Sequence, residues 1–454
     1  MSARTKSPSA PSIAEQLVSR GVRAMNAGDY ATAERDFRRS RHLQPNALAD
    51  AALGYTLLER VRTGESGVLA LACEHLAQGY AVLADPFFGL GYADALAKLG
   101  CHAMAREVLT AVVAMPDDGR NLPIVARFLL AHLNAADGRP SADDFLALAD
   151  VEAQDPYAVF YRALIRLWDG RWAEGWADYH ARWQVPALRS VWRGPPVEGT
   201  PLLTPEQARD HAWLGAHPIL IWQEQGLGDV AFGLPWLAVL DRLGVPYQFA
   251  ASTHGAEIAH AMRGALGQPP LAMWDGEAAR VHAQCPLFSV PHLFGIPVPP
   301  VSPARPAAPT TGDDDLGTPG RICVKLTGNP QHGNDADRSC RDPSSRAYLH
   351  TALHARRTEV IDLDVAPLVG GWSWADTIRA LTDCRALLTV DTAVANIAAV
   401  LGVRTILIPQ TMPEFRWGRH DTVAWAPAVT IVRRAKRDDW LSTIARAFAD
   451  LTQG

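Results

Sequence analysis

Between Pro218 and Ala251 the chain runs through a short apolar segment, a glycine-rich turn, a helical segment and a second apolar segment. Pro218-Ile-Leu-Ile-Trp222 reads as a buried strand. Glu224-Gln-Gly-Leu-Gly-Asp229 follows, then a helix from Val230 to Leu243 that ends at Gly244, then a strand from Tyr247 to Ala251. A strand, a Gly-rich turn, a helix and a strand in that order form the building block of a parallel sheet. Pro235 lies within the helical segment, which requires either a first-turn position or a kink.

The same texture returns near the C-terminus. Strands are expected at Arg321–Leu326, Glu359–Leu363 and Thr405–Ile408, and a helix at Ala375–Asp383 with Ser373 near its start. Ala386-Leu-Leu-Thr-Val390 leads into Asp391-Thr-Ala and a helix to Leu401, closed by Gly402. The stretch 298–320 is rich in Pro, Gly, Thr and Asp and forms the best domain boundary. Two doubly wound lobes joined by a hinge would leave a cleft at the carboxyl ends of their strands, where open α/β sheets bind ligands.

The first part of the chain is different. From Ile13 to about Ala187 it is rich in Ala, Leu and Arg, with short Gly, Pro and Asp breaks. In the clearest unit, Leu17 to Pro45, Gly28-Asp-Tyr30 separates two amphipathic segments and Pro45 stops the second. Gly21 and Ala33 are small where two helices would approach closely, and Phe37 fills the space beyond. This unit resembles a tetratricopeptide repeat. Looser units follow at Gly54 with Pro86 and Gly100 with Ala105, then a half-unit over 167–183. Such an arm either buries its own apolar faces or grips a peptide or protein on its surface. Trp168, Trp172 and Trp176 recur every four residues, which places them on one helical face. That face is expected to dock the arm onto the next domain.

At 454 residues, two or three domains are the natural expectation. The net charge of −5 carries no basic footprint for nucleic acid, and no apolar run is long enough to span a bilayer. Cys73, Cys101, Cys285, Cys323, Cys340 and Cys384 are scattered without metal-ligand spacing and read as buried free thiols. The organisation expected is a disordered tail over 1–12 and a helical repeat domain over 13–190. An N-terminal Rossmann-like lobe over 191–300 comes next, then a linker over 301–320 and a C-terminal Rossmann-like lobe over 321–454. A cytoplasmic location fits this composition, since no signal-peptide stretch follows the tail.

Three loops at strand ends could carry chemistry. In the first, Glu224, Gln225, Gly226 and Gly228 form a cleft loop whose glycines permit close approach of a ligand. Asp229 there reads either as a helix cap or as a carboxylate able to take a proton from an attacking hydroxyl. The second, residues 325–339, gathers Lys325, Asn329, His332, Asn334 and Arg338, donors suited to a diphosphate or to a solvated surface loop. In the third, Asp391, Thr392 and Ala393 open a helix whose free N–H groups suit a phosphate, with an ordinary N-cap as the alternative. Asp313-Asp-Asp315 precedes a strand inside the linker and reads as a solvated charge run.

Together the three loops match one pattern. With residues 175–183 (GWADYHARW), 285–287 (CPL), 328–339 (GNPQHGNDADRS), 390–402 (VDTAVANIAAVLG) and Phe415-Arg-Trp417, the chain resembles the bacterial tetratricopeptide-repeat glycosyltransferases. These are relatives of lipopolysaccharide heptosyltransferases and, more distantly, of the O-GlcNAc transferase architecture. The resemblance covers nearly the whole chain. It implies helical repeats followed by two Rossmann-like lobes of the GT-B kind. It also implies inverting, metal-independent transfer from a nucleotide-diphosphate sugar, with no cofactor.

In that pattern Asp229 matches the base acting on the acceptor, Asn334 and Arg338 meet the donor diphosphate, and Asp391 and Thr392 open the helix facing the donor. Relatives usually carry His where this chain has Asn396. The repeats point to a protein acceptor. The alternatives are a glycolipid or polysaccharide acceptor, or a non-catalytic scaffold built on a retired enzyme.

Overall fold

The computed structural model describes residues 11–63, 65, 67–136, 155–185, 188, 193–277, 281–300, 321–330, 335–368, 371–410, 414–418, 420–434 and 439–452. Residues 1–10 of the expected tail, the linker over 301–320 with its Asp313–Asp315 run, and His332 and Asn334 lie outside these. The chain divides into two compact units, Met1–Leu133 with Asn329–Asp337, and Asn134–Gly328 with Arg338–Gly454.

The first unit is helical. It comprises α1 (Ile13–Asn26), α2 (Tyr30–Leu43), α3 (Ala47–Arg62), α4 (Leu69–Leu83), α5 (Pro86–Lys98), α6 (His102–Val113) and α7 (Leu122–Ala136), whose last turn passes the boundary. Ser12 caps α1 in a reciprocal box with Glu15, so it belongs to the helix rather than to a tail. Gly28, at φ 77°, turns the chain where most side chains would be strained, and Asp29 then caps α2.

Small residues let the paired helices touch, as the sequence led us to expect. A methyl group on Gly21 would lie 2.7 Å from Phe37, and one on Gly54 would lie 2.6 Å from the Leu76 amide. Ala33, Phe37, Leu53, Leu57, Leu76 and Ala105 are fully buried between the helices. No described helix is long and apolar enough to cross a membrane.

The second unit starts with α8 (Pro156–Trp168) and α9 (Trp172–Tyr179) and continues into two parallel sheets. The first sheet has three strands in the order β2-β1-β3. They are β1 (Ile219–Trp222), β2 (Tyr247–Ala250) and β3 (Ala283–Pro286), with α10 (Leu227–Arg242) and α11 (Thr253–Ala265) between them. Pro235 sits deep in α10, not in its first turn, so the helix runs on without one backbone donor.

The second sheet has six strands in the order β5-β4-β6-β7-β9-β8. They are β4 (Ile322–Lys325), β5 (Val360–Asp362), β6 (Ala386–Val390), β7 (Thr405–Ile408), β8 (Thr422–Val423) and β9 (Ala426–Ile431). Only β8, at the edge, runs antiparallel to its neighbour. Helices α12 (Pro343–Ala355), α13 (Trp374–Asp383), α14 (Ala393–Val400) and α15 (Trp440–Thr452) complete this lobe. The architecture is therefore helical repeats followed by two α/β lobes, as expected.

The two sheets share one apolar core, in which Val230, Leu234 and Phe232 of α10 join Val394 and Ile397 of α14. A second tie is polar, since Glu257 of α11 accepts the Trp374 amide at the start of α13 at 2.8 Å.

Two expectations need correction. Trp168 does not share a helical face with Trp172 and Trp176, because α8 ends at Trp168 and Gly170, at φ 79°, breaks the helix. Trp176 instead packs inside the second unit, where it is buried and meets Trp236 edge-on with ring centroids 5.3 Å apart. Its indole donates to the Pro297 carbonyl at 2.8 Å. Nor are all six thiols buried, for Cys101 is exposed.

Candidate functional site

Strands β1 and β6 are apolar apart from Thr389 and buried along their whole length, so each delivers its next residues to the end of the sheet. After β1 the chain stays buried for two residues. Glu224 is almost fully enclosed and paired with the equally enclosed Arg182, through two bonds of 2.9 Å. The same carboxylate accepts the Phe288 amide at 3.0 Å, while Arg182 also donates to the Tyr179 carbonyl and the Ser289 hydroxyl. Gln225 donates to the Tyr179 hydroxyl at 2.9 Å. Both side chains expected in a cleft are thus internal braces that anchor the loop to the segment after α9.

The turn then opens. Gly226 caps α10, and its amide donates to Asp229 at 2.7 Å. The helix-cap reading of Asp229 is therefore real, and the cap uses only one of its oxygens, leaving the other to face a second partner. That oxygen accepts from Arg416 at 2.6 Å. Gly228 serves helix packing. A methyl group there would lie 3.0 Å from the Asn396 amide and 3.4 Å from Ala393, so the missing side chain brings α10 and α14 together.

After β6, Asp391 turns inward and accepts the Trp417 indole at 2.8 Å. Thr392 and Ala393 begin α14, and the Thr392 hydroxyl is buried with no hydrogen-bond partner among the described residues. Asn396, in the first turn, donates to the Thr392 carbonyl at 3.1 Å and accepts from Arg416 at 3.3 Å. Arg416 itself rides on the Phe415–Trp417 turn, held by the Trp425 indole on its carbonyl at 2.7 Å. Its guanidinium also bonds Glu414 at 2.6 Å and lies over the Phe232 and Phe415 rings, 5.2 and 5.5 Å from their centroids.

Burial pushes the Asp229 carboxyl above the usual carboxylate range; Arg416 pulls the other way and Glu414 adds to the rise. Burial and the Glu414 charge push Asp391 up to about 7, against Arg416, the Trp417 bond and Arg338. A carboxyl of this kind keeps a proton that the unfolded chain, with its pKa of about 3.9, releases. Stability should therefore fall as pH rises from about 4 to about 7 and level off above that. Asp391→Asn keeps an acceptor for Trp417 and removes the titration. It should match wild type near pH 4 and be more stable at pH 8, by on the order of 2–4 kcal/mol. Urea unfolding at the two pH values measures this, and equal differences at both would refute it.

The loop after β4 is organised differently. Lys325 pairs with Asp364 at 2.9 Å and donates to the Leu363 carbonyl. Asp364 also accepts the Thr327 hydroxyl at 2.6 Å and Arg346 at 2.7 Å. Burial would raise this carboxyl, but Thr327, Lys325 and Arg346 outweigh it and hold it at about 2. Lys325 is a brace within its lobe, therefore, and Asn329 is exposed beyond it. Arg338 is half-buried and acts on Asp391.

The sequence-derived residues that converge are Asp229, Arg338, Asp391, Thr392 and Ala393. Arg416, Glu414 and Asp364 were missed, although Arg416 lies in the noted Phe415-Arg-Trp417 motif. Among the described residues no three His, Cys, Asp or Glu side chains gather in a way that could hold a metal ion.

No family model matches the chain, and no curated protein matches it. Among solved structures it is similar to a tetratricopeptide repeat protein from Parabacteroides merdae, at 15% identity and TM-score 0.30, over 39% of this chain and 73% of that one. It is also similar to a point mutant of O-GlcNAc transferase from Thermobaculum terrenum, at 13% identity and TM-score 0.36, over 97% of this chain and 90% of that one. The functional reading rests on the residues of the site.

Proposed function

We propose that the α/β lobes form a glycosyltransferase that moves a sugar from a nucleotide-diphosphate donor to an acceptor hydroxyl, with inversion and without a metal. One observation carries this reading. A half-buried carboxylate of raised proton affinity, Asp229, lies next to a helix N-terminus whose Thr392 hydroxyl has no hydrogen-bond partner among the described residues, and beside the guanidinium of Arg416. Base and anion site are the two things that sugar transfer from a diphosphate requires.

In the reaction, Asp229 takes the proton of the acceptor hydroxyl. The acceptor oxygen bonds to the anomeric carbon from the face opposite the diphosphate, and the bond to the diphosphate oxygen breaks with its electron pair. Arg338, Thr392 and the amides opening α14 meet the charge that develops there. Orientation of the two substrates supplies much of the remaining acceleration. Asp391 holds the Trp417 turn rather than the donor, since a carboxylate so close would repel phosphate. The acceptor we propose is a protein, because stacked helical repeats present extended binding surfaces.

A second reading has its own observation. The 2.6 Å bond between Arg416 and Asp229 occupies the base, as a retired enzyme serving as a scaffold would allow. Release of nucleoside diphosphate from a panel of nucleotide sugars, with host lysate as acceptor, separates the two. Release from one donor above the rate of its hydrolysis supports the enzyme. No release from any donor by the folded protein overturns it.

A further inference from the structure

We propose that Arg416 changes partners: it holds Asp229 until donor binds and then turns to the donor diphosphate, so that Asp229 becomes a free base only in the donor complex. This rests on the glycosyltransferase reading and says how that site is controlled.

The geometry points to Arg416 for several reasons. Its side chain is 6% exposed, yet it spans both lobes, bonding Asp229 of α10 and Asn396 of α14. It is therefore already beside the helix end where the diphosphate would sit, and it reaches a phosphate without leaving its pocket. Among the described residues its Nε is buried with no hydrogen-bond partner, as is the Thr392 hydroxyl. Thr392, whose carbonyl Asn396 bonds, and Arg416, which donates to Asn396, each keep one buried donor without a partner among the described residues, a costly arrangement that suits a multidentate oxyanion.

Charge balance points the same way. Asp229, Glu414 and Asp391 all act on this one guanidinium, with Arg338 as the further cation acting on Asp391. An incoming diphosphate carries more charge than any one of these carboxylates, and a guanidinium fork can meet two of its oxygens at once. Arg416 is thus a positioning residue for Asp229 and a ligand for the donor.

The experiment is calorimetric titration of the full chain with UDP, GDP, ADP, CDP and inorganic pyrophosphate. Wild type, Asp229→Asn, Arg416→Lys and the double variant are compared. In wild type the diphosphate must first break a charge-assisted hydrogen bond. Asp229→Asn removes that cost and should bind the preferred diphosphate about tenfold more tightly. Arg416→Lys should bind about tenfold more weakly. In the double variant the gain from Asp229→Asn should disappear, because both effects run through one bond.

Proton uptake gives a readout that a merely structural role would not move. Freed from its cation, Asp229 gains proton affinity. Wild type should therefore take up a fraction of a proton on binding, seen as a dependence of binding heat on buffer, and Asp229→Asn should not. Asp229→Asn is nearly isosteric and keeps the Gly226 bond, so the test survives if Arg416→Lys fails to fold. Unchanged affinity in Asp229→Asn together with no proton uptake in wild type would overturn the exchange while leaving the transferase reading intact. Failure of wild type to bind any of the five probes would remove the transferase reading, and the exchange with it.

Discussion

Asparagine in place of Asp229 is expected to slow sugar transfer by about 10²–10⁴-fold, the usual contribution of a positioned general base. The fold should be little affected. Asn retains an oxygen for the Gly226 amide, which Asp229 accepts at 2.7 Å, and Arg416 keeps Glu414 and Asn396 as partners. What disappears is the ionisable group itself. Glutamate at this position is expected to recover little, because an added methylene moves the carboxylate off the first turn of α10 and out of the Gly226 bond. Measured as turnover with the donor found by nucleotide release, alongside thermal unfolding, a variant of normal stability and near-normal rate would take Asp229 out of the role of base.

The largest effect on stability is expected at the Arg182–Glu224 pair. Both side chains are almost completely withdrawn from water. Removing one partner leaves the other charged and buried, which costs about 3–5 kcal/mol. Arg182→Ala should therefore lower the urea midpoint sharply, and it frees the Glu224 oxygens that now hold the Phe288 amide in register. The double replacement Arg182→Met with Glu224→Leu removes both charges and fills similar volume, so most of the loss should return. A single Arg182 variant within 1 kcal/mol of wild type would show that Glu224 finds another partner or a proton.

The sequence exposed the skeleton of this molecule better than its site. Strands β1, β6 and β7 are apolar but for Thr389 and Thr405, and a short apolar run bounded by turns has few other uses. β3 escaped because Ala283-Gln-Cys-Pro286 carries a glutamine. Its amide is buried on the carbonyls of Val197 and Thr200, a pairing visible only once the distant segment lies beside it. The start of α12 was legible in principle, since Asp342-Pro343 is a cap followed by a first-turn proline.

The tryptophan spacing misled because periodicity of four assumes an unbroken helix, and Gly170 breaks it. At the site, Asp229 and Thr392 stood out because strand-to-helix turns announce themselves locally. Arg416 did not, because its partner Asp229 is 187 residues away in the chain and nothing local marks an arginine that crosses between lobes. Glu224 looked like part of a cleft for the converse reason. It stands two residues before a glycine-rich turn, and only Arg182, on a different element, shows that it is enclosed.

The placement of α8 and α9 bears on how this protein can be taken apart and recombined. Composition invites a cut near residue 190, after the last helix that reads as a repeat. Yet Trp176 sits in the apolar core of the α/β lobes, and Arg182 is the counter-ion of their Glu224. A fragment begun at residue 191 would carry a hole the size of an indole and an orphaned carboxylate at the root of the Asp229 loop. These two helices travel with the lobes as an inherited part of them. A junction for exchanging one repeat array for another, in the laboratory or over evolutionary time, therefore belongs before Pro156 rather than at the point where the helical texture ends.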